Sequence, residues 1–264
     1  MTAKSILTHI DDRGIATLLM NRPELHNAFD DVLIADLTAE LKQLEADPQV
    51  RVVCLAGSGK SFSAGADLNW MRRMAGYTRE QNLADARGLA ELMQTLDSLA
   101  KPTIALVQGP AYGGGVGLVA CCDMVLAVER ASFCLSEVRL GLIPAVISPY
   151  VIAAIGARAC RRYFQSAETF DAQEACRLGL VHEVLADAEA LQLRGKLLAE
   201  QLLKNGPNAM VEAKRLIAAV AGQPKSPALI ADTAGRIADQ RASAEGREGL
   251  AAFLEKRAPE WVKG

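Results

Sequence analysis

The sequence is poor in histidine and has no paired cysteine motif, and both shortages narrow its chemistry. His9, His26 and His182 are its only three histidines, scattered and each alone, which signals neither a zinc site nor a histidine-based triad. The six cysteines, at 54, 121, 122, 134, 160 and 176, show no CxxC spacing. Most lie in apolar runs such as Val52-Val53-Cys54-Leu55 and read as buried free thiols in a reducing compartment, with the vicinal Cys121-Cys122 as core packing. Excess positive charge is missing too. At a formal net charge of −2 the chain has no broad basic field for nucleic acid or an anionic membrane, although a local patch can meet a phosphate. No apolar run reaches about 18 residues, the length of a membrane span, without a charge or a breaker. The opening Met1-Thr2-Ala3-Lys4-Ser5 leads quickly to Asp11-Asp12-Arg13-Gly14, too short and too acidic for a secretory signal, so a cytoplasmic location is expected.

Half of the 264 residues are apolar, enough for one large domain or a core with a smaller appendage. Ile6 to Ile10 and Ile15 to Met20 flank Asp11-Asp12-Arg13-Gly14 and predict a hairpin. Leu33, Leu37, Leu41 and Leu44 recur at helical spacing, so Asp30 or Asp31 caps a helix through about Asp47, ended by Pro48. Short β-branched runs at Arg51 to Ala56, Thr103 to Val107 and Met124 to Val128 alternate with helical patterns, the longest from about Arg79 to Leu99. That alternation predicts an α/β fold with right-handed connections, and Ser132-Phe133-Cys134 before a helix near Ile147 repeats the strand-strand-helix opening. Beyond about Asp187 only helical patterns remain, at 187–203, 207–221, 226–242 and 244–257. Apolar helices at a chain end have few residues of their own to bury against, so they must pack on the core or on another subunit.

Two segments rich in small residues are the most informative: Phe62-Ser63-Ala64-Gly65-Ala66-Asp67-Leu68 and Gly113-Gly114-Gly115-Val116-Gly117-Leu118. In each the main chain can approach a ligand closely, and Gly113 to Gly115 open an apolar helix whose first N–H groups lack partners. Such donors stabilise an oxyanion, whereas the glycine run taken alone reads as a tight turn. Three further stretches accompany them: Asn21-Arg22-Pro23-Glu24-Leu25-His26-Asn27-Ala28, Cys122-Asp123, and Ser136-Glu137-Val138-Arg139-Leu140-Gly141-Leu142-Ile143-Pro144. With Phe253-Leu254-Glu255-Lys256-Arg257 near the end, the set resembles the crotonase family, also called the enoyl-CoA hydratase/isomerase family, over residues from about 5 to 260.

The resemblance implies a spiral of ββα units in residues 1–190, holding the CoA and acyl site, and a helical oligomerisation region in 191–264. It implies a homotrimer, or a hexamer made as a dimer of trimers. No metal or prosthetic group is expected, coenzyme A being part of the acyl-CoA thioester substrate. Matched motif to motif, the peptide N–H groups of Ala66 and Gly114 hold the thioester oxygen as an enolate forms. Ala64, Asp67 and Leu68 fall where the family holds adenine, Arg22 and Leu25 along the pantetheine and phosphate path, and Lys256 where a C-terminal lysine reaches CoA phosphates. Glu137 matches the second of the family's two catalytic glutamates, and Gly117 stands in place of the first. A glycine transfers no proton, so Glu137 works alone or with a partner such as Ser148, and Gly117→Glu is expected to help crotonyl-CoA hydration.

Gly117, Pro144-Ala145-Val146-Ile147-Ser148-Pro149 and Cys121-Cys122-Asp123 look most like a bacterial branch of methylglutaconyl-CoA and isohexenylglutaconyl-CoA hydratases. The substrate so implied is 3-methylglutaconyl-CoA, hydrated to 3-hydroxy-3-methylglutaryl-CoA in leucine and isovalerate degradation. Its second carboxylate needs a cation, for which Arg72, Arg73, Arg139 and Arg158 are candidates. A lone glutamate equally suits an enoyl-CoA isomerase, which shuttles one proton between C2 and C4 without water. A non-catalytic CoA- or RNA-binding member is a third reading. Against RNA, the helix from Asp31 to Asp47 carries Asp36, Glu40, Glu45 and Asp47 with Lys42 alone opposing them. Against a catalytically dead binder, Glu137 and both oxyanion segments are retained together.

Overall fold

The computed structural model describes residues 4–262 and builds them around two sheets. The larger has β1 (Ile6–Ile10), β2 (Ile15–Met20), β3 (Val52–Gly57), β4 (Thr103–Val107), β6 (Met124–Val128) and β9 (Glu183–Leu185) side by side in that order. Only the β1–β2 hairpin is antiparallel; each later strand adds parallel to the last. Every residue of β4 and nearly every residue of β3 is buried, as strands covered on both faces must be. Helix α1 (Asp31–Ala46) covers one flank with Leu33, Leu37, Leu41 and Leu44 buried, and Asp30 caps it by accepting the Leu33 N–H at 2.8 Å.

The smaller sheet positions the site. It consists of β5 (Ala111–Tyr112), β7 (Ser132–Cys134) and β8 (Phe170–Asp171), with β5 parallel to β7. Isolated parallel bridges, Ser63 with Ala111 and Phe29 with Ala66, extend it through the segment around Ser63 to Ala66. β3, β4 and β6 of the large sheet each therefore lead into a short strand or bridge of the small sheet and then a helix, the expected ββα unit. Helices α2 (Leu68–Met74) and α3 (Arg79–Asp97) follow the Ser63 segment, α4 (Gly114–Cys121) follows β5, and α5 (Ser148–Ser166) follows β7. α5 is broken at Gly156, whose φ of 76° takes it out of the helix.

Helices α6 (Ala172–Leu178), α7 (Ala188–Leu203), α8 (Pro207–Val220), α9 (Pro227–Ala242) and α10 (Ala244–Glu255) complete the chain. α7 spans the expected boundary at 190 and buries Leu191, Gly195 and Ala199. A Cβ on Gly195 would come within 2.7 Å of Leu106 of β4, so α7 packs directly on the large sheet. By contrast α8 and α9 bury no residue of their own. The polar stretch from Tyr77 to Asn82 starts α3: Thr78 and Gln81 form a reciprocal capping box, and the Asn82 amide donates to the Tyr77 and Thr78 carbonyls.

Candidate active site

Three neighbouring segments run parallel and end together. Phe62 and Ser63 donate their N–H groups to the Pro110 carbonyl at 3.0 and 3.2 Å, Tyr112 donates to Ser63 at 2.9 Å, and Gly113 donates to Cys134 at 2.9 Å. Just past their C-terminal ends stand Ala66, Gly114 and Glu137, so residues far apart in sequence meet at the carboxyl edge of one small parallel sheet, where α/β proteins bind ligands. Along the first segment Ser63, Gly65 and Asp67 are buried while Ala64, Ala66 and Leu68 are exposed, the alternation of an extended strand.

Close approach explains the glycines. Gly65 has φ 88° and Gly113 φ 50°; a Cβ at Gly113 would lie 3.3 Å from Glu137 Oε1 and 3.9 Å from Gly65 Cα. The Gly65 carbonyl accepts from Phe29 and the Asp67 N–H donates to Phe29, both at 2.7 Å. Ala66 N–H, between them, points the other way and has no acceptor among the described residues. Gly114, first residue of α4, likewise has no intrahelical acceptor. Two free N–H groups at one sheet edge can stabilise an oxyanion.

Glu137 opens a short 3-10 turn, Glu137–Leu140, and is half-buried. Its Oε2 is buried without a hydrogen-bond partner. Burial raises its carboxyl pKa above the ordinary value, against a smaller opposing pull from its own backbone N–H. A carboxyl raised in this way holds a proton more readily than a free one, as a group that takes and returns protons must.

The space beside Gly117 is filled. A Cβ there would sit 2.3 Å from Ile147 Cγ2 and 3.1 Å from Met93 Cε, both side chains fully buried or nearly so. A glutamate side chain at 117 would have to displace Ile147 and Met93 to enter this space. The Ser148 hydroxyl donates to the Ala145 carbonyl at 2.8 Å, at the start of α5.

Arg22 and Asp67 brace helices. Asp67 caps α2, accepting the Asn69 and Trp70 N–H groups at 2.8 and 3.1 Å. Arg22 lies 2.8 Å from Asp30, the cap of α1, and 4.0 Å from Asp67, joining both caps. Leu25 and Leu68 are exposed. Lys256 is exposed too, in the left-handed conformation that ends α10, and belongs to the C-terminal helices rather than to this cluster. Of the candidate arginines, Arg73 pairs with Asp31, Arg139 donates to the Ala167 carbonyl at 2.6 Å, and Arg72 donates to the neutral Asn69 side chain at 2.6 Å. Arg158 faces a separate cavity with Arg161, Arg162 and Arg177. A larger groove of about 680 Å³ between α1 and α3 shares no residue with the two N–H segments or Glu137.

Sequence reasoning passed over Asn27. It is fully buried with φ 52°, and its amide donates to the Ser58 and Ser61 carbonyls, both at 2.9 Å, while its Oδ1 accepts the Arg22 N–H at 2.9 Å. Ser63 Oγ donates to the Asn27 carbonyl at 2.9 Å. One side chain thus pins the loop entering the Ser63–Ala66 strand; its signal was an asparagine beside a histidine in a turn, a frequent left-handed position. Two of the three histidines have structural partners: His26 Nδ1 meets Ser61 Oγ at 3.1 Å and His182 Nδ1 accepts the Val125 N–H at 3.0 Å.

Comparison with known proteins shows the family. Residues 11–264 match the enoyl-CoA hydratase/isomerase family. The chain is 34% identical over 251 residues to the 2,3-dehydroadipyl-CoA hydratase of Escherichia coli K12, covering 94% of each. It is 34% identical to the hydroxycinnamoyl-CoA hydratase-lyase of Pseudomonas fluorescens over 80% of this chain and 77% of that one. The crystal structure of an enoyl-CoA hydratase from Shewanella pealeana superposes with a TM-score of 0.94 at 46% identity, over 98% of this chain and 96% of the other. On this match and this fold, the chain belongs to the enoyl-CoA hydratase/isomerase family.

Proposed function

We propose that this enzyme hydrates a branched α,β-unsaturated acyl-CoA carrying a second carboxylate, 3-methylglutaconyl-CoA, to 3-hydroxy-3-methylglutaryl-CoA. The observation that carries the reading is Glu137, desolvated and unpaired beside Gly113, with position 117 closed by Ile147 and Met93. Ala66 and Gly114 N–H groups hold the thioester oxygen while charge builds there. Glu137 takes a proton from water as its oxygen bonds to C3, and delivers that proton to C2 as the enolate collapses. No prosthetic group enters this scheme. Ala64, Asp67, Leu68, Arg22 and Leu25 border the path proposed for CoA, and Lys256 reaches it from a neighbouring subunit of a trimer or hexamer. The setting proposed is cytoplasmic leucine or isovalerate breakdown; among the described residues no helix is long and apolar enough to cross a membrane.

The substrate's second carboxylate is assigned to Arg72. It sits on α2, directly after the Ala66–Asp67 segment, and among the described residues its one side-chain partner is the neutral Asn69, while Arg73 on the same helix and Arg139 are engaged elsewhere. That a relative is named for 2,3-dehydroadipyl-CoA, a thioester with a free carboxylate, supports this class. Arg72→Met is expected to raise KM roughly 10-fold for the dicarboxylic thioester, a charge-assisted pair, and to leave KM for crotonyl-CoA unchanged.

A second reading, isomerisation of a 3-enoyl-CoA, is favoured by the same lone carboxylate, which needs no second acid for a C4-to-C2 transfer. Steady-state assays with 3-methylglutaconyl-CoA, crotonyl-CoA and a 3-enoyl-CoA, with products separated by mass, divide the two. Water addition confined to the branched dicarboxylic thioester upholds hydration; double-bond migration without a mass gain replaces it with isomerisation.

A further inference from the structure

We infer that Arg139 is a positioning residue for Glu137, fastening the turn that carries the carboxylate to the C-terminal end of α5. This rests on the reading of Glu137 as the proton carrier. No side-chain hydrogen bond anchors the buried Oε2, so the carboxylate lies wherever the backbone of its turn places it. The turn's own bonds, Arg139 N–H to Ser136, Gly141 N–H to Val138 and Leu142 N–H to Glu137, each 3.1 Å, fix its shape. They do not fix its location.

Location comes from outside the turn. Upstream it continues from β7. Downstream Leu140, Leu142 and Ile143 are each more than half exposed, so apolar packing holds this side of the turn only loosely. Among the described residues, the one side-chain hydrogen bond leaving 136–142 for another element is Arg139 Nη2 to the Ala167 carbonyl, at 2.6 Å. Ala167 is itself well fixed: fully buried, in the left-handed conformation with φ 50°, its N–H bonded to Tyr163 at 3.2 Å. Its carbonyl also accepts the Cys134 thiol at 3.2 Å, and the Cys134 carbonyl holds the Gly113 N–H at 2.9 Å. One carbonyl therefore ties the glutamate turn to the strand beside the oxyanion loop. Two plainer roles compete. A guanidinium at a helix C-terminus can simply stabilise that helix, and a free one can bind the substrate carboxylate.

The test is a cycle of Arg139→Met, Glu137→Gln and the double variant, with Arg139→Lys as rescue, on whichever enoyl-CoA the wild type turns over. A misplacement of about 1 Å costs up to roughly 100-fold in rate, so Arg139→Met is expected to lower kcat about 10- to 100-fold with KM within about 2-fold. Lysine, a single-point donor, should restore part of it. The double variant should be no slower than Glu137→Gln, because the arginine acts only through the glutamate. The acid limb of kcat should also move to lower pH in Arg139→Met, because a loosened turn wets the carboxyl, whose environment is set by burial and its own backbone. A higher KM at unchanged kcat would make Arg139 a substrate contact and overturn the proposal. So would a kcat loss that adds to that of Glu137→Gln, or one that tracks a lower Tm with an unmoved pH profile. Full turnover by Glu137→Gln defeats the functional reading itself, whereas an inactive Glu137→Gln beside a fully active Arg139→Met defeats only this inference.

Discussion

At the scale of single residues, function and stability pull against each other at Glu137. Its carboxyl is raised by burial, so between the unfolded and folded pKa the native state holds the extra proton. Stability then falls as pH rises through that window and stays lower above it. Removing the charge should relieve this. Glu137→Gln is expected to melt higher than the wild type at about pH 8, and the difference should vanish by about pH 4, where both forms are neutral; equal Tm values at both pH values would show that the carboxylate is not desolvated. Gly117 is constrained by shape instead. With Ile147 Cγ2 at 2.3 Å from a new Cβ, Gly117→Glu should lose roughly 1–3 kcal/mol or more by overpacking and gain no activity on crotonyl-CoA. Pairing it with Ile147→Ala should recover part of that loss, read as the urea midpoint, because the second substitution opens the space the first requires.

At the scale of elements, the site depends on strands too short to hold themselves. β5 has two residues and the Ser63 segment joins it by a single bridge, so side chains supply the missing rigidity. Asn27 provides most of it on one side, and Arg22 locks the caps of α1 and α2 together. Asn27→Ala removes three side-chain hydrogen bonds and leaves the Ser61 carbonyl to Gln108 alone, an expected cost of about 2–4 kcal/mol. The Ser63–Ala66 strand loosens with it, so kcat should fall beyond what the lost stability explains; an unchanged kcat in the folded variant would confine Asn27 to a structural role.

Those elements also divide what was legible in the sequence from what was not. The parallel strands showed as β-branched runs and α1 as leucines at helical spacing, because periodicity is local. Glu137 and the two N–H segments were found by their likeness to a family, and the sheet explains why they meet. Ile147 and Met93 filling the space at Gly117, or Arg139 reaching Ala167, are contacts across tens of residues that no local pattern encodes. Short pieces escaped as well: α2, α6, β8 and β9 have too few residues for a period to show.

At the scale of the whole molecule, the C-terminal helices are tethered but poorly buried. Lys214 of α8 pairs with Asp123 at 3.0 Å, just beyond the end of α4, and the Arg51 guanidinium gathers the Leu203, Asn205 and Trp261 carbonyls. These polar ties set the orientation of α8 to α10 without hiding their apolar surface. Ile217, Ile230, Ile237, Leu250, Phe253 and Leu254 remain exposed, Phe253 at 80% and Leu254 at 77%, and a soluble monomer rarely leaves so many large apolar side chains together in water. A second copy of the chain is the cover proposed for them. Phe253→Ser with Leu254→Ser should then shift the mass by light scattering from an assembly toward the single chain, and make Tm depend more steeply on protein concentration. Because neither residue touches Glu137 or the N–H segments, any accompanying loss of activity would track the fraction dissociated. A wild type that is already monomeric would leave these side chains uncovered and remove the oligomerisation role from residues 191–264.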